Sequence, residues 1–110
     1  MKAKKAIVRE PSISYTQCVS SHPLRHTVSL EKAKQQHINY CDVLSSLGLE
    51  LIKLPPKKEY PDSCFVEDTA VVFGNRAFIT RMGVQSRRGE DKEVEKVLKV
   101  SLECWFEKPF

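Results

Sequence analysis

Apolar and polar residues change period along the chain, and each change marks a new element. Lys5 to Arg9 (KAIVR) is a short run rich in β-branched residues that stops at Glu10–Pro11. Pro11 has no N–H and drives Glu10 into an extended conformation, so a first strand is expected over about 4–9. Residues 11–28 show no sustained period, carry many Ser and Thr, and read as a loop. Structureless loops of that length are uncommon in compact domains and tend to be functional. From Ser29 to Leu47, the residues Leu30, Ala33, His37, Tyr40, Cys41, Leu44 and Leu47 recur three and four apart, the spacing of one helical face. Ser29 is the expected N-cap, Glu31 suits the positive end of the helix, and Gly48 is the expected stop. Leu49 to Leu54 (LELIKL) reads as a second strand closed by Pro55–Pro56, and as the parallel neighbour of the first across a helical crossover.

The second half repeats the theme. Thr69 to Phe73 and Arg76 to Thr80 flank Gly74–Asn75, a pair suited to a type II′ hairpin turn. Thr69 to Phe73 lacks polar alternation, so that strand is expected to be covered on both faces. Ser86 is the expected cap of a second helix running to about Ser101, with Val94, Val97, Leu98 and Ser101 facing in. Glu95 and Lys99 on it form a favourable i,i+4 pair. Leu102 to Phe106 alternates as a last strand. The order is β-α-β-β-β-α-β, an α/β chain in which a strand–helix unit repeats for fewer than two full copies.

Composition narrows the classes. At 110 residues, 41% apolar and 29% charged, the chain fits one soluble globular domain spanning 1–110. The net charge of +4 is mild and its basic residues are interleaved with acids, without the clustered basic footprint of a nucleic-acid protein. No apolar run reaches a membrane span, and residues 1–10 lack a signal-peptide core. The four cysteines (Cys18, Cys41, Cys64, Cys104) include no CxxC pair, which suits reduced thiols in the cytoplasm.

Candidate chemistry concentrates between Pro61 and Arg88. Three carboxylates (Asp62, Glu67, Asp68) precede the hairpin and three guanidinium groups (Arg81, Arg87, Arg88) follow it, an arrangement suited to a ligand with a cationic and an anionic end. Glu67 and Asp68 beside an apolar strand need a cation. Arg81 would make that a structural pair; a ligand guanidinium, which matches a carboxylate with two parallel hydrogen bonds, would make it a site. Arg87–Arg88 at the start of the second helix would form an anion site with its amides, or a solvated pair. Cys64 is a poor nucleophile, because neighbouring carboxylates raise a thiol pKa and no histidine lies near it in sequence. Cys18, His22 and His26 are spaced four apart, but Pro23 opposes a shared helical face and a fourth ligand is missing, so no metal is expected. His37 falls on the apolar stripe and reads as a hydrogen-bonded packing residue.

PDSCFVEDTAVV, followed by AFITR-x-G-x-x-SRRGE, resembles the amino-terminal part of the dimethylargininases (dimethylarginine dimethylaminohydrolases) of the guanidino-group modifying superfamily. IVREP, SSH at 20–22 and EKAKQQHINYCDVL extend the resemblance across most of the chain. It implies a pentein fold, a ring of ββαβ modules, of which this chain would hold the amino-terminal portion. It implies conversion of Nω-methylated arginine and water to citrulline and a methylamine, with no cofactor. The resemblance assigns Asp62 to the amino-acid end of the substrate, Glu67 and Asp68 to contacts with it, Asp68 pairing with the guanidinium, and Arg87 to the substrate carboxylate. Aligned on SSH, Cys18 takes the place of a lid residue that closes over substrate. The family's nucleophilic Cys, its catalytic His and a further Glu in a G-G-D-like segment have no counterpart here; His22, His26 and His37 lie in other segments. The chain is therefore expected to carry substrate recognition and no catalytic residue, and to be inactive alone. The alternatives are a non-catalytic binding or oligomerising module, or a piece of another guanidino-modifying enzyme such as an arginine deiminase. The expected partners are a small guanidino compound (methylarginine or arginine) and either a second copy or a second chain that completes the fold.

Overall fold

The computed structural model describes residues 4–24, 27–102 and 105–107, the last three and residues 101–102 by backbone alone. They fall into two compact units that meet in sequence between Cys64 and Phe65. No helix among the described residues is long and apolar enough to cross a membrane.

The first unit is a β-α-β crossover. Strand β1 (Lys5–Arg9) pairs in parallel with β2 (Glu50–Leu54), in a register that sets Lys5 opposite Glu50 and Arg9 opposite Leu54. Helix α1 (Leu30–Ser46) lies between them in the chain. The Ser29 side chain accepts a hydrogen bond from the Lys32 amide at 3.2 Å, the expected N-cap. At the other end Gly48 takes φ +86°, a left-handed turn that a side chain would strain, and Leu49 N–H reaches back to Leu44 O at 3.3 Å. Among the described residues of this unit, Val8, Cys41 and Leu54 are buried apolar side chains. The buried stripe of α1 is narrower than the apolar spacing suggests. Cys41 is buried and Leu30, Ala33, His37 and Leu44 are half-buried, whereas Tyr40 and Leu47 are exposed. Tyr40 lies about 100° around the helix from Cys41, and Leu47 is the C-cap beyond the last turn. The loop before α1 holds a 3-10 turn, Tyr15–Gln17, closed by Cys18 N–H on Tyr15 O at 3.0 Å.

The second unit is a complete β-β-α-β motif. Strands β3 (Ala70–Phe73) and β4 (Arg76–Ile79) form an antiparallel hairpin, and β5 (Trp105–Glu107) lies parallel to β4 on its far side. Gly74 opens the hairpin turn at φ +62°, the positive value that primed turns require at that position. Helix α2 (Asp91–Leu102) provides the crossover from β4 to β5. Val94 and Leu98 on α2 are buried, as are Ala77 and Ile79, which share one face of β4. Glu95 and Lys99 pair at 3.2 Å, as their spacing predicts.

Three expectations fail here. β3 is not covered on both faces: Val71 and Val72 are exposed and Phe73 is 80% exposed. It is an edge strand of the sheet, and among the described residues of this unit the crossover helix is the layer available to cover one face. α2 does not start at Ser86. Residues Gln85–Arg87 form a separate 3-10 turn, and Gly89 at φ +115° breaks the path before the helix starts at Asp91. Asp91 and Glu93 then occupy the first turn, where negative charge favours the helix dipole. Because α2 extends to Leu102, the last strand begins at Trp105, later than the alternation suggests. The expected facing of Ser101, Leu102, Cys104 and Phe106 lies outside the described side chains.

Candidate functional site

Each unit holds one cluster of the expected residues. In the first, Asp62 lies in the tight turn after Pro61 and is buried. Its carboxylate accepts from the Val19 amide, at 3.0 Å through Oδ2 and 3.2 Å through Oδ1. This brings the Cys18 segment of the long loop against Asp62, so two expected site residues do meet. Burial, and then the Asp62 charge, push the Cys18 thiol above its ordinary pKa, against the pull of its own backbone amide. A thiol so held is a weak nucleophile at neutral pH. Tyr15, which the pattern did not single out, is raised by burial and by Cys64, Cys18 and Asp62 in turn, so these four groups share one neighbourhood. Next to Asp62, Ser63 is buried, its N–H on Tyr60 O at 3.0 Å and its Oγ with no hydrogen-bond partner among the described residues.

In the second unit the short 3-10 helix Val66–Thr69 carries Glu67 and Asp68. Its end is locked by buried Thr69, whose hydroxyl donates to Val66 O at 2.6 Å. Thr80 fixes Asp68 further: its hydroxyl donates to Asp68 O at 2.6 Å and its N–H to Thr69 O at 3.0 Å. The Asp68 side chain is 50% exposed. Its cation here is Arg87, Nη1 to Oδ2 at 2.9 Å, and not Arg81, the structural partner the sequence offered beside a ligand. Glu67 is exposed.

Arg87 is engaged on several sides. Nε donates to both Glu90 oxygens at 3.1 and 3.2 Å, Nη2 donates to Glu90 Oε1 at 2.8 Å, and Nη2 also reaches Phe65 O at 3.4 Å. The guanidinium stands 6.0 Å from the centre of the Phe65 ring. Burial opposes its charge, but the hydrogen bonds to Glu90 and Asp68 outweigh that and hold its pKa above the ordinary arginine value. Neither expected alternative for Arg87–Arg88 holds in the form stated. The pair precedes α2 instead of opening it, and Arg88 Nε donates to Met82 O at 3.0 Å. Glu90 was missed by the sequence reading; its signal is an acid one residue after a glycine that lets the chain fold back on Arg87.

His37 Nε2 lies 3.5 Å from Cys41 Sγ on α1, and burial lowers its pKa, as befits a packing residue. His22 Nδ1 accepts from the Leu24 amide at 3.0 Å. Among the described residues no group of three His, Cys, Asp or Glu could hold a metal ion, and His26 of the spaced triad lies outside them.

Comparison with known proteins reads this arrangement. No family profile matches the chain. It is 41% identical over 98 residues to an N(G),N(G)-dimethylarginine dimethylaminohydrolase of Streptomyces coelicolor, covering 89% of this chain and 38% of that protein. Its fold superposes on the solved structure of a mutant dimethylarginine dimethylaminohydrolase from Pseudomonas aeruginosa complexed with citrulline. The TM-score is 0.91 at 32% identity, covering 98% of this chain and 42% of that one. The chain belongs to the dimethylarginine dimethylaminohydrolase family. The amino-terminal domain of ArgZ, a cyanobacterial arginine dihydrolase solved with its product, shares the fold at TM-score 0.80 and 16% identity. The fold is accordingly a partial pentein, and the β-β-α-β unit is one of its modules. The chain spans less than half the length of the relatives it matches.

Proposed function

We propose that this chain is the amino-terminal, substrate-recognition part of a dimethylargininase-like hydrolase, with both units belonging to one pentein-type domain. The observation that carries this reading is the Asp68–Arg87 contact at 2.9 Å on a half-exposed carboxylate. Asp68 is set, by its backbone and its exposure, to accept a planar guanidinium, the group that an arginine-like ligand would present. Residue by residue, the family resemblance gives Asp68 to the guanidinium, Glu67 to a further contact with the substrate, Arg87 to the carboxylate, Asp62 to the amino-acid end and Cys18 to the lid. A ligand bound in this way exchanges for the Asp68–Arg87 contact: its guanidinium takes the place of Arg87 on Asp68. The carbon–nitrogen chemistry of the family needs a thiolate and a histidine base, and neither cluster supplies them. The chain alone is thus a recognition element that makes no product. That Cys18, Cys41 and Cys64 form no disulfide among the described residues suits a reducing cytoplasm.

Two measurements test this. Titration of the purified chain with L-arginine or L-citrulline, read by NMR, should shift the amides around Asp68 in wild type and not in Asp68→Asn. Incubation with Nω,Nω-dimethylarginine should yield no citrulline. Citrulline production abolished by Cys64→Ser would overturn the assignment.

A second reading is favoured by one observation. On the outer face of the β3–β4 hairpin, Val71, Phe73 and Phe78 are all exposed, with Val71 directly opposite Phe78. An apolar face beside an edge strand is a docking surface. The chain would then self-associate or pair with a polypeptide that supplies the remaining modules. Light scattering across a concentration series separates the two: a clean monomer at all concentrations removes self-association.

A further inference from the structure

The Glu90 carboxylate is buried completely, its side chain 0% exposed, while that of Arg87 is 13% exposed and that of Asp68 50%. The three charges thus form a graded series from interior to solvent. Glu90 holds Arg87 along the Nε edge with three contacts of 2.8 to 3.2 Å, and its backbone N–H bonds to Arg87 O at 3.2 Å. Gly89, at φ +115°, permits this tight return of the chain. Asp68 has one contact, on Nη1. Two carboxylates against one guanidinium leave one formal negative charge. A buried carboxylate loses far more than an exposed one when its cation departs, so the pairing with Glu90 persists and the unbalanced charge resides at Asp68.

We infer that Glu90 is the positioning residue of this cluster: it holds Arg87 in place and takes up its charge, which leaves Asp68 as the exchangeable acid that a guanidinium ligand engages. This rests on the reading that Asp68 receives such a ligand. Without Glu90, Arg87 and Asp68 would be a balanced pair, and a cationic ligand would have to compete with Arg87 for the carboxylate. With Glu90 in place, Arg87 keeps a counter-ion when it leaves Asp68, so a ligand guanidinium takes its place there against a weaker competitor.

The test uses the isotope-labelled full chain and follows hydrogen exchange at Arg87 Nε–H by NMR, the resonance being assigned by its loss in Arg87→Lys. Glu90→Gln should speed exchange at least about tenfold, on the scale of one lost charge-assisted hydrogen bond. Glu90→Asp should fall between Glu90→Gln and wild type, and Asp68→Asn should leave the rate within about twofold of wild type because its contact is on another nitrogen and is solvent-exposed. If Asp68→Asn speeds exchange as much as Glu90→Gln, or if Glu90→Gln changes nothing while its amide spectrum stays dispersed, the inference is wrong. Should Glu90→Gln unfold, the wild type in about 1 M NaCl decides: protection that persists belongs to the buried Glu90, and protection that collapses belongs to the screened Asp68 and overturns the inference.

A second arm titrates L-arginine and reads the Asp68 amide. Wild type should respond, and Glu90→Gln should respond with an affinity about tenfold weaker, the loss expected when a charged competitor is released onto Asp68. An undiminished response in Glu90→Gln overturns the inference and keeps the recognition reading. No response in wild type counts against the recognition reading, and the exchange rates then judge Glu90 by themselves.

Discussion

Each unit holds one of the candidate carboxylates, and they hold them in different ways. Asp62, in the β-α-β unit, is buried and satisfied by a neutral backbone donor, the Val19 amide at 3.0 Å. Asp68, in the β-β-α-β unit, is half-exposed and satisfied by a guanidinium at 2.9 Å that is itself tied to buried Glu90. An acid bonded to the backbone of a loop fixes that loop, because its partner cannot leave without unfolding the segment. An acid bonded to a side-chain cation at the surface can trade that cation for another. The first arrangement suits a fixed wall and the second an exchangeable group.

The contrast can be broken most forcefully at Arg87. Arg87→Ala leaves the Glu90 carboxylate buried without its cation, and the expected loss of stability is about 3–5 kcal/mol by urea unfolding. A loss below about 1 kcal/mol, the scale of an exposed pair, would mean that Glu90 is hydrated in solution and the graded series is wrong. Asp62→Ala strips the loop of its acceptor and should cost about 1–3 kcal/mol, with faster amide exchange at Val19. If that amide stays protected, the loop is held by something else and the two acids are alike after all. Asp68→Asn should cost no more than about 1 kcal/mol, since the pair is half in water. Its effect should appear in ligand titrations instead of melting curves.

The smallest effect is on pH. Burial lowers the pKa of His37. An unfolded chain then takes up a proton near the ordinary value of about 6.5 while the folded one does not. The stabilisation from neutral His37 is therefore present above that value and lost as the pH falls through it toward the lowered folded value. His37→Gln should flatten the stability curve in that window, read by melting temperature from neutral to mildly acidic pH. The slope belongs to the first unit, so the same fall in pH should leave Arg87 Nε–H exchange unchanged once the intrinsic rate is corrected.

Much of the frame was legible beforehand. The N-cap Ser29, the stop at Gly48, the parallel pairing of β1 with β2 and the hairpin around Gly74–Asn75 all follow from local chemistry, since caps and turns depend on residues within a few positions. The failures share a cause. β3 reads as a covered strand because its side chains are apolar, yet apolarity states what a residue would bury and not whether a layer is there to bury it. Ser86 reads as a cap because capping residues are short polar ones, but Gly89 redirects the backbone after it. Among the candidate residues it was the partners that went unread: Arg81 was one of two cations weighed for Asp68, a ligand guanidinium being the other, and Glu90 went unnoticed.

By itself, then, the sequence determined the order of elements, the ends of the first helix, and a central stretch rich in acids and guanidinium groups that resembles one family. It could do so because helix caps, turn residues and hydrophobic period act over a few neighbouring positions. The tertiary structure decided which charge meets which, that Asp62 holds a loop while Asp68 faces solvent, and that Arg87 is anchored by a carboxylate buried three residues after it. Those choices depend on burial and on the direction of side chains brought together from distant positions, and the energy of an ion pair is set by the water around it as much as by its two partners.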